Sequence, residues 1–375
     1  MKILILSDCN NPHTIKLVKS FSKQNNIEVF LYGLERLKVN DYLTLKNFNV
    51  KTLDIKVKKS GTISKIKYLQ AIFDIKKIIK EFRPDIVHAH YASSYGLLGV
   101  LSGFHPLVIS VWGSDIYIFP KKTFMHKIIL KYNLKKADKI LSTSFAMAKE
   151  TSKYTNKNID VIPFGVDLDV FKSKKVLDSY YAPFNSEDII IGTVKSLEKI
   201  YGVEYLIKAF KIVLDKHKNL PLRLLIVGGG SLKKSLISLT KELKIDDKVK
   251  FVGKIPYYDV CIYHNIIDIS VFLSLSESFG VAVVEASACE KPVVVSNVGG
   301  LPEVVDNGLT GFVVPVKSEK KAAEAIEKLI LNRDLRVKMG KNGRKKVEEL
   351  YNWNNNFRDM NNVYIGLQNK VIDNE

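Results

Sequence analysis

Between Ile266 and Ser296 two apolar runs flank a turn, in a pattern that admits few backbones. The run Ile266 to Leu273 leads into Ser276-Glu277-Ser278-Phe279-Gly280-Val281-Ala282-Val283-Val284-Glu285, and Pro292 to Ser296 is the second apolar run. Val271 to Leu273 is short and apolar, whereas Val281, Val284 and Ala288 recur at helical spacing until Pro292 stops the helix ahead of Val293-Val294-Val295. The spacing predicts strand, tight turn, helix, strand, with Gly280 at the start of the helix.

A helix start carries unpaired N–H groups and the positive end of the dipole, and a glycine there lets an anion approach the backbone. A phosphate is the natural guest. Glu277 sits in the turn and Glu285 on the helix, so a rise of roughly 1.5 Å per residue puts their carboxylates on the order of 10 Å apart. That is too far for an acid/base pair on one bond and suits a grip on two distant parts of one ligand. A nucleotide sugar has that layout, with sugar hydroxyls at one end, a diphosphate, and ribose hydroxyls at the other. Two glutamates at this spacing are, on their own, more often a surface turn residue and a solvated helix position; their neighbours decide between the readings.

Those neighbours are Glu-Ser-Phe-Gly-x4-Glu after a strand, then Lys291-Pro292-Val293-Val294, Gly299-Gly300-Leu301-Pro302-Glu303 and Asn307-Gly308-Leu309-Thr310-Gly311-Phe312-Val313-Val314, in that order. Together they resemble the donor site of the family 4 retaining glycosyltransferases. The resemblance is strong from Ile189 to Gly311 and looser before Gly165. It implies an α/β chain of GT-B architecture, two facing doubly wound Rossmann-like domains with a C-terminal helix crossing back to the first. It implies a hexosyltransferase-type enzyme moving a sugar from a nucleoside diphosphate sugar, a UDP-sugar favoured, to an acceptor hydroxyl with retention. No metal or other cofactor is implied beside the nucleotide sugar.

The same resemblance assigns roles. Glu277 contacts the donor sugar, Glu285 the ribose, and Ser278, Phe279, Gly280 and Val281 the diphosphate. The family carries an arginine and a lysine in the loop after the first strand of the second domain; here Lys195 and Lys199 supply the charge, at a different spacing from Gly202. Ile255, in Lys254-Ile255-Pro256, belongs beside the base; Gly228 of the Gly228-Gly229-Gly230 run, where backbone can approach closely, and Asn11, in a loop where family members often have glycines, are the further donor-binding candidates. The acceptor-binding candidates are His13, His90, Trp112 and Asp115. Trp112 replaces a common histidine, and both a stacking platform for a sugar and a core tryptophan fit it.

The rest of the chain alternates strands and helices, as a doubly wound fold demands. Expected strands include Lys2 to Ser7, Glu28 to Tyr32, Val50 to Ile55, Leu107 to Val111 and Ile189 to Val194. A helix from Ser64 to Phe82 is expected to turn Ile66, Leu69, Ile72, Phe73 and Ile79 inward. Lys121 to Lys136 reads as a basic amphipathic helix carrying Phe124, Ile128, Ile129 and Tyr132, either resting on anionic lipid or covering the sheet. His88 alternates with His90 and reads as a packed sheet residue. The expected division is an acceptor-binding domain over 1–171, a linker over 172–188, a nucleotide-sugar-binding domain over 189–352 and a returning helix over 353–375.

Composition bounds the rest. With 375 residues and 46% hydrophobic content the chain can bury two cores. Cys9, Cys261 and Cys289 are far apart with no C-x-x-C, so they read as buried apolar residues in a reducing compartment. Met1 to Leu6 enters a strand without a signal peptide's long apolar region, which points to the cytoplasm. The net charge of +19 is uneven, with 30 Lys and Arg against 15 Asp and Glu in residues 1–185, and 28 against 24 beyond. An anionic membrane surface fits that first half, with a glycan or lipid-linked glycan as acceptor in capsule, O-antigen or lipopolysaccharide synthesis; a lysine-rich proteome explains the charge equally well. Nucleic acid is not expected as a partner, because no basic-aromatic strand face or recognition helix is evident. A nucleotide-sugar epimerase of the same fold is the rival enzyme.

Overall fold

The computed structural model describes residues 1–54, 65–180, 183–185 and 187–372. Ile55 and Ser64, the expected ends of a strand and a helix, lie outside these residues, as do residues 181, 182 and 186 of the expected linker, residues 373–375, and the side chain of Ile66.

Strands covered on both faces need no polar side, so the apolar runs of this chain become parallel sheets. The first unit comprises Met1–Pro163 with Asn356–Glu375. Its strands are β1 (Lys2–Leu6), β2 (Glu28–Gly33), β3 (Phe48–Thr52), β4 (Ile86–His90), β5 (Leu107–Val111), β6 (Lys139–Ser142) and β7 (Ile159–Val161). They pair in the order β3-β2-β1-β4-β5-β6-β7, every pair parallel. The second unit, Phe164–Asn355, holds β8 (Ile189–Val194), β9 (Leu222–Val227), β10 (Val249–Gly253), β11 (Ile269–Phe272), β12 (Val293–Ser296) and β13 (Gly311–Val314). Their order is β10-β9-β8-β11-β12-β13, again all parallel. In each sheet the strand order reverses beside the first strand, and the loops that leave the carboxyl ends at this switch point form the usual ligand crevice of such folds.

Two expectations are corrected. The 172–188 stretch is no free linker: Val176 and Phe184 are buried against Ile190, Leu225 and Val227 inside the second unit. Apolar residues are needed there to close the sheet's outer face, and the sequence's lack of periodicity hid them. In the first unit, the helix Lys65–Phe82 buries Ala71, Ile75 and Ile78, while Leu69 and Phe73, expected inward, are exposed. The helix Phe124–Lys136 covers its sheet with Leu130 and Leu134, one of the two readings kept for it, and Phe124, Ile128 and Tyr132 face outward.

The last helix, Trp353–Ile372, starts in the second unit and from Asn356 onward belongs to the first. There the Phe357 ring meets Phe21 at 4.8 Å, and the Tyr364 hydroxyl lies 2.5 Å from His88 Nδ1. His88 Nε2 lies 2.7 Å from Ser110 Oγ, so His88 is the packed sheet residue expected of it. Burial pushes its pKa down to about 3 and keeps the imidazole neutral. All three cysteines are buried and unoxidised, with the Sγ atoms of Cys261 and Cys289 3.9 Å apart. Among the described residues, no helix is long and apolar enough to cross a membrane.

Candidate active site

In the second unit the switch point lies between β8 and β11, and the loops leaving these two strands carry Lys195 and Glu277. The two loops are tied together by backbone: the amides of Leu275 and Ser276 both donate to the Ile200 carbonyl, at 2.7 and 3.3 Å. Gly300 then donates to the Glu277 carbonyl at 3.3 Å, and Gly299, at φ +54, lies so close to that carbonyl that a Cβ would collide with it. The Gly-Gly pair after β12 thus fixes the turn that presents Glu277.

The side chains meet. Lys195 Nζ lies 2.7 Å from Glu277 Oε2, with side-chain exposures of 15% and 11%. The ammonium also sits 4.4 Å from the centre of the Tyr201 ring, and Ser274 Oγ donates to Glu277 Oε2 at 3.4 Å. A pair this shielded interacts more strongly than one on an open surface. Beside it is a cavity of about 420 Å³ whose walls include Lys195, Tyr201, Gly228, Lys254, Ile255, Val281 and Glu285.

Gly228 has φ +144, and a side chain there would run into the Lys195 carbonyl. Its amide donates to the Gly253 carbonyl, and the Leu197 amide donates to that of Gly229, both at 2.9 Å. The glycine run, of which Gly228 was expected at the donor, thus packs its backbone on the Lys195–Leu197 loop, and Gly228 also lines the cavity. Lys199 is exposed on the short turn Lys199–Tyr201 and is not part of the cavity wall; Lys254, exposed at the end of β10, is the second lysine there.

Among the residues expected along the diphosphate, Val281 lines the cavity and Gly280 caps the helix Val281–Ala288 at φ +112, a left-handed backbone that favours glycine. Ser278 is half-buried. Phe279 turns inward, its ring 5.4 Å from that of Tyr351, so its side chain anchors the turn in the core. Glu285 is buried on the first turns of the same helix. Its Oε1 accepts from the Tyr257 hydroxyl at 3.3 Å, and its Oε2 lies 3.7 Å from Nε2 of the fully buried His264. Burial, and then the Glu285 charge, push the Tyr257 pKa upward, so the phenol stays a donor. Tyr257 and His264 were missed from sequence, since nothing in their spacing links them to a carboxylate more than 20 positions away.

In the first unit, the carboxyl ends of β1, β4 and β5 bring His13, His90 and Trp112 together. His90 is buried with Nδ1 2.8 Å from Ser7 Oγ, and its ring lies 4.3 Å from that of Trp112. His13 meets the edge of the same indole at 6.0 Å and Tyr91 at 5.1 Å. Burial lowers the pKa of His13 to about 4 and takes that of His90 well below its ordinary value, so both rings are neutral near pH 7. Trp112 is half-buried, with part of its surface covered by His90. Asn11 acts locally, since its side chain accepts from the His13 amide at 2.9 Å and so caps the helix Pro12–Phe21.

Asp115 is also committed to backbone. Its carboxylate accepts from Ala92 and Gly113 N–H, both at 2.8 Å, and from Trp112 N–H at 3.2 Å. Burial outweighs these donors and raises its pKa above the ordinary carboxylate value. Asp115→Ala should therefore destabilise the first unit by roughly 3 kcal/mol or more, because buried donors left unpaired cost about 1–3 kcal/mol each. Thermal unfolding followed alongside nucleotide titration checks this, with the melting temperature falling and nucleotide affinity unchanged. An unaltered melting temperature would return Asp115 to the acceptor-binding set.

Residues 181–346 match the family model described as Glycosyl transferases group 1, and residues 2–144 match Glycosyl transferase 4-like. The chain is 28% identical, over 71% of its own length and 71% of the relative's, to N-acetyl-alpha-D-glucosaminyl L-malate synthase of Bacillus anthracis. It is 32% identical to the capsular polysaccharide biosynthesis glycosyltransferase CapM of Staphylococcus aureus, over 65% of this chain and 59% of that one. Among solved structures, the Anabaena protein HepE in complex with UDP and glucose superimposes with a TM-score of 0.80 over 98% of this chain and 100% of that one, at 18% identity. That likeness extends over both doubly wound sheets.

Proposed function

Because the chain belongs to the family 4, group 1 glycosyltransferases, we propose that it moves a hexosyl group from a UDP-sugar to a hydroxyl of a lipid-linked glycan, with retention and without a metal. The observation that carries this reading is the Lys195–Glu277 pair beside a cavity that also holds Glu285. As the bond from the anomeric carbon to the diphosphate oxygen breaks, its electron pair goes to the terminal phosphate. Lys195, helped by Lys254, stabilises that charge by fixed electrostatics. The acceptor oxygen bonds to the same face of the carbon, and its proton passes to the departing phosphate. Glu277 orients sugar hydroxyls, Glu285 accepts from the ribose hydroxyls, and Ile255 offers the base an apolar wall.

The UDP complex of HepE supports the choice of nucleotide, and the capsular relative supports a glycan acceptor in cell-surface polysaccharide synthesis. The charge of the first half supports a peripheral position on the cytoplasmic side of an anionic membrane. The test is a panel of radiolabelled UDP-, GDP-, ADP- and dTDP-sugars incubated with the protein. One UDP-sugar should be slowly hydrolysed, and consumed faster when polyprenyl-linked glycans are added. Preference for another nucleotide would overturn the donor assignment, and turnover of none would overturn the reading as a whole.

A further inference from the structure

The helices Lys65–Phe82, Ser94–Ser102 and Phe124–Lys136 lie on one face of the first sheet, with Ser94–Ser102 packed between the other two. Each turns an apolar stripe onto the sheet, through Ile75, Leu98 and Leu130 among others. A helix that covers a sheet and meets water on its far side needs no second stripe. Two of these helices carry one, and the third ends in an exposed leucine.

On Phe124–Lys136, Met125, Ile128 and Tyr132 are spaced three and then four residues apart on the side opposite Leu130 and Leu134, and are 61%, 42% and 44% exposed. Leu69 and Phe73, one turn apart on Lys65–Phe82, are 56% and 72% exposed, and Leu101 on the middle helix is 39% exposed. Lysines frame these residues. Lys127, Lys131, Lys135 and Lys136 are exposed, and the chain carries no Asp or Glu between Asp115 and Asp138. Asp74, the nearest carboxylate along Lys65–Phe82, is taken by Lys51 at 2.8 Å and by the Tyr32 hydroxyl at 3.2 Å.

Apolar side chains standing among exposed positive charge match the boundary of an anionic bilayer, where the former enter between acyl chains and the latter meet lipid phosphates. We propose that the outward face of these three helices is a membrane-insertion surface for anionic phospholipid, with Met125, Ile128 and Tyr132 entering the interface. The inference rests on the lipid-linked acceptor reading and adds to it the residues that reach the bilayer. A second copy of the chain is the poorer occupant, since pairing the same face with itself would set lysine against lysine.

Sedimentation with vesicles of equal parts phosphatidylglycerol and phosphatidylcholine, and of phosphatidylcholine alone, tests the proposal at low and high ionic strength. Two variants are compared with the parent: Met125→Ser with Ile128→Ser and Tyr132→Ser, and Lys127, Lys131, Lys135 and Lys136 all changed to Gln. The parent should bind the anionic vesicles and keep a salt-resistant fraction. The serine variant should lose that fraction, with partitioning at high salt lower by roughly tenfold or more. The glutamine variant should bind anionic vesicles roughly 600-fold less well at low salt, at about a factor of five for each of four lysines. Both should keep the parent's affinity for UDP, whose proposed site is in the other unit, so loss of vesicle binding is distinguishable from a failed donor assignment. Equal binding of parent and variants, or of neutral and anionic vesicles, overturns the proposal. So does a concentration-dependent dimer of the parent that the serine variant abolishes.

Discussion

Lys195→Met is expected to lower turnover about 10²–10³-fold, the usual consequence of removing one fixed group that stabilises charge in a transition state. Two effects act in the same direction. The leaving diphosphate loses its nearest cation, and Glu277, only 11% exposed and 2.7 Å from the missing ammonium, becomes a shielded carboxylate that repels the incoming phosphates. Affinity for UDP and for the UDP-sugar should fall together, while affinity for uridine, which has no phosphate, stays near the parent's. Glu277→Gln should chiefly reduce turnover, and the double variant should be less impaired than the two single losses combined, because the residues share one interaction. Steady-state kinetics with parallel titrations of UDP and uridine measure all of this. A uridine affinity that collapses with the others would mean that the lysine holds the loop together and has no specific hold on phosphate.

Glu285→Gln should weaken UDP binding by roughly 1.5–3 kcal/mol, the value of a charge-assisted hydrogen bond, or about 10- to 150-fold. Uridine should weaken in step, which separates this glutamate from Lys195. Turnover at saturating donor should change less, since ribose contacts are made equally in ground and transition states. Tyr257→Phe removes one donor to the same carboxylate, at 3.3 Å, and should produce a smaller loss of the same kind. Calorimetric titration of UDP and uridine into the two variants measures the effect. Undiminished uridine affinity in Glu285→Gln would detach this residue from the ribose.

The turn between Glu277 and Glu285 was legible because its features are local. A strand, a glycine with positive φ and a short helix fall within 20 residues, and each element declares itself by periodicity or by a proline. Lys195 follows from its place at a strand end. Lys199 and Lys254 differ in something no spacing encodes, namely which loop turns a side chain towards the cavity. The Tyr257–Glu285 and His264–Glu285 contacts join separate helical segments and appear only once the sheet has assembled. Periodicity failed differently at Leu69 and Phe73, which were expected inward and are exposed. It detects an apolar stripe on a helix without saying which of two stripes meets the sheet, and on Lys65–Phe82 the core took Ala71, Ile75, Ile78 and Phe82.

The path of the last helix has a consequence for biosynthesis. The first unit comprises Met1–Pro163 and Asn356–Glu375, so a ribosome must make the whole second unit before the first can close. Until Tyr364 emerges, His88 Nδ1 lacks the hydroxyl that lies 2.5 Å away in the finished protein, and Phe21 lacks Phe357 and Tyr364 against its ring. A chain truncated just before Asn356 would carry a complete second unit and a first sheet left open where Phe357 and Tyr364 pack, with His88 keeping only its Ser110 partner, the kind of defect that chaperones and proteases recognise. Closure of the first unit therefore waits for the helix Trp353–Ile372, which is made only after the whole of the second unit.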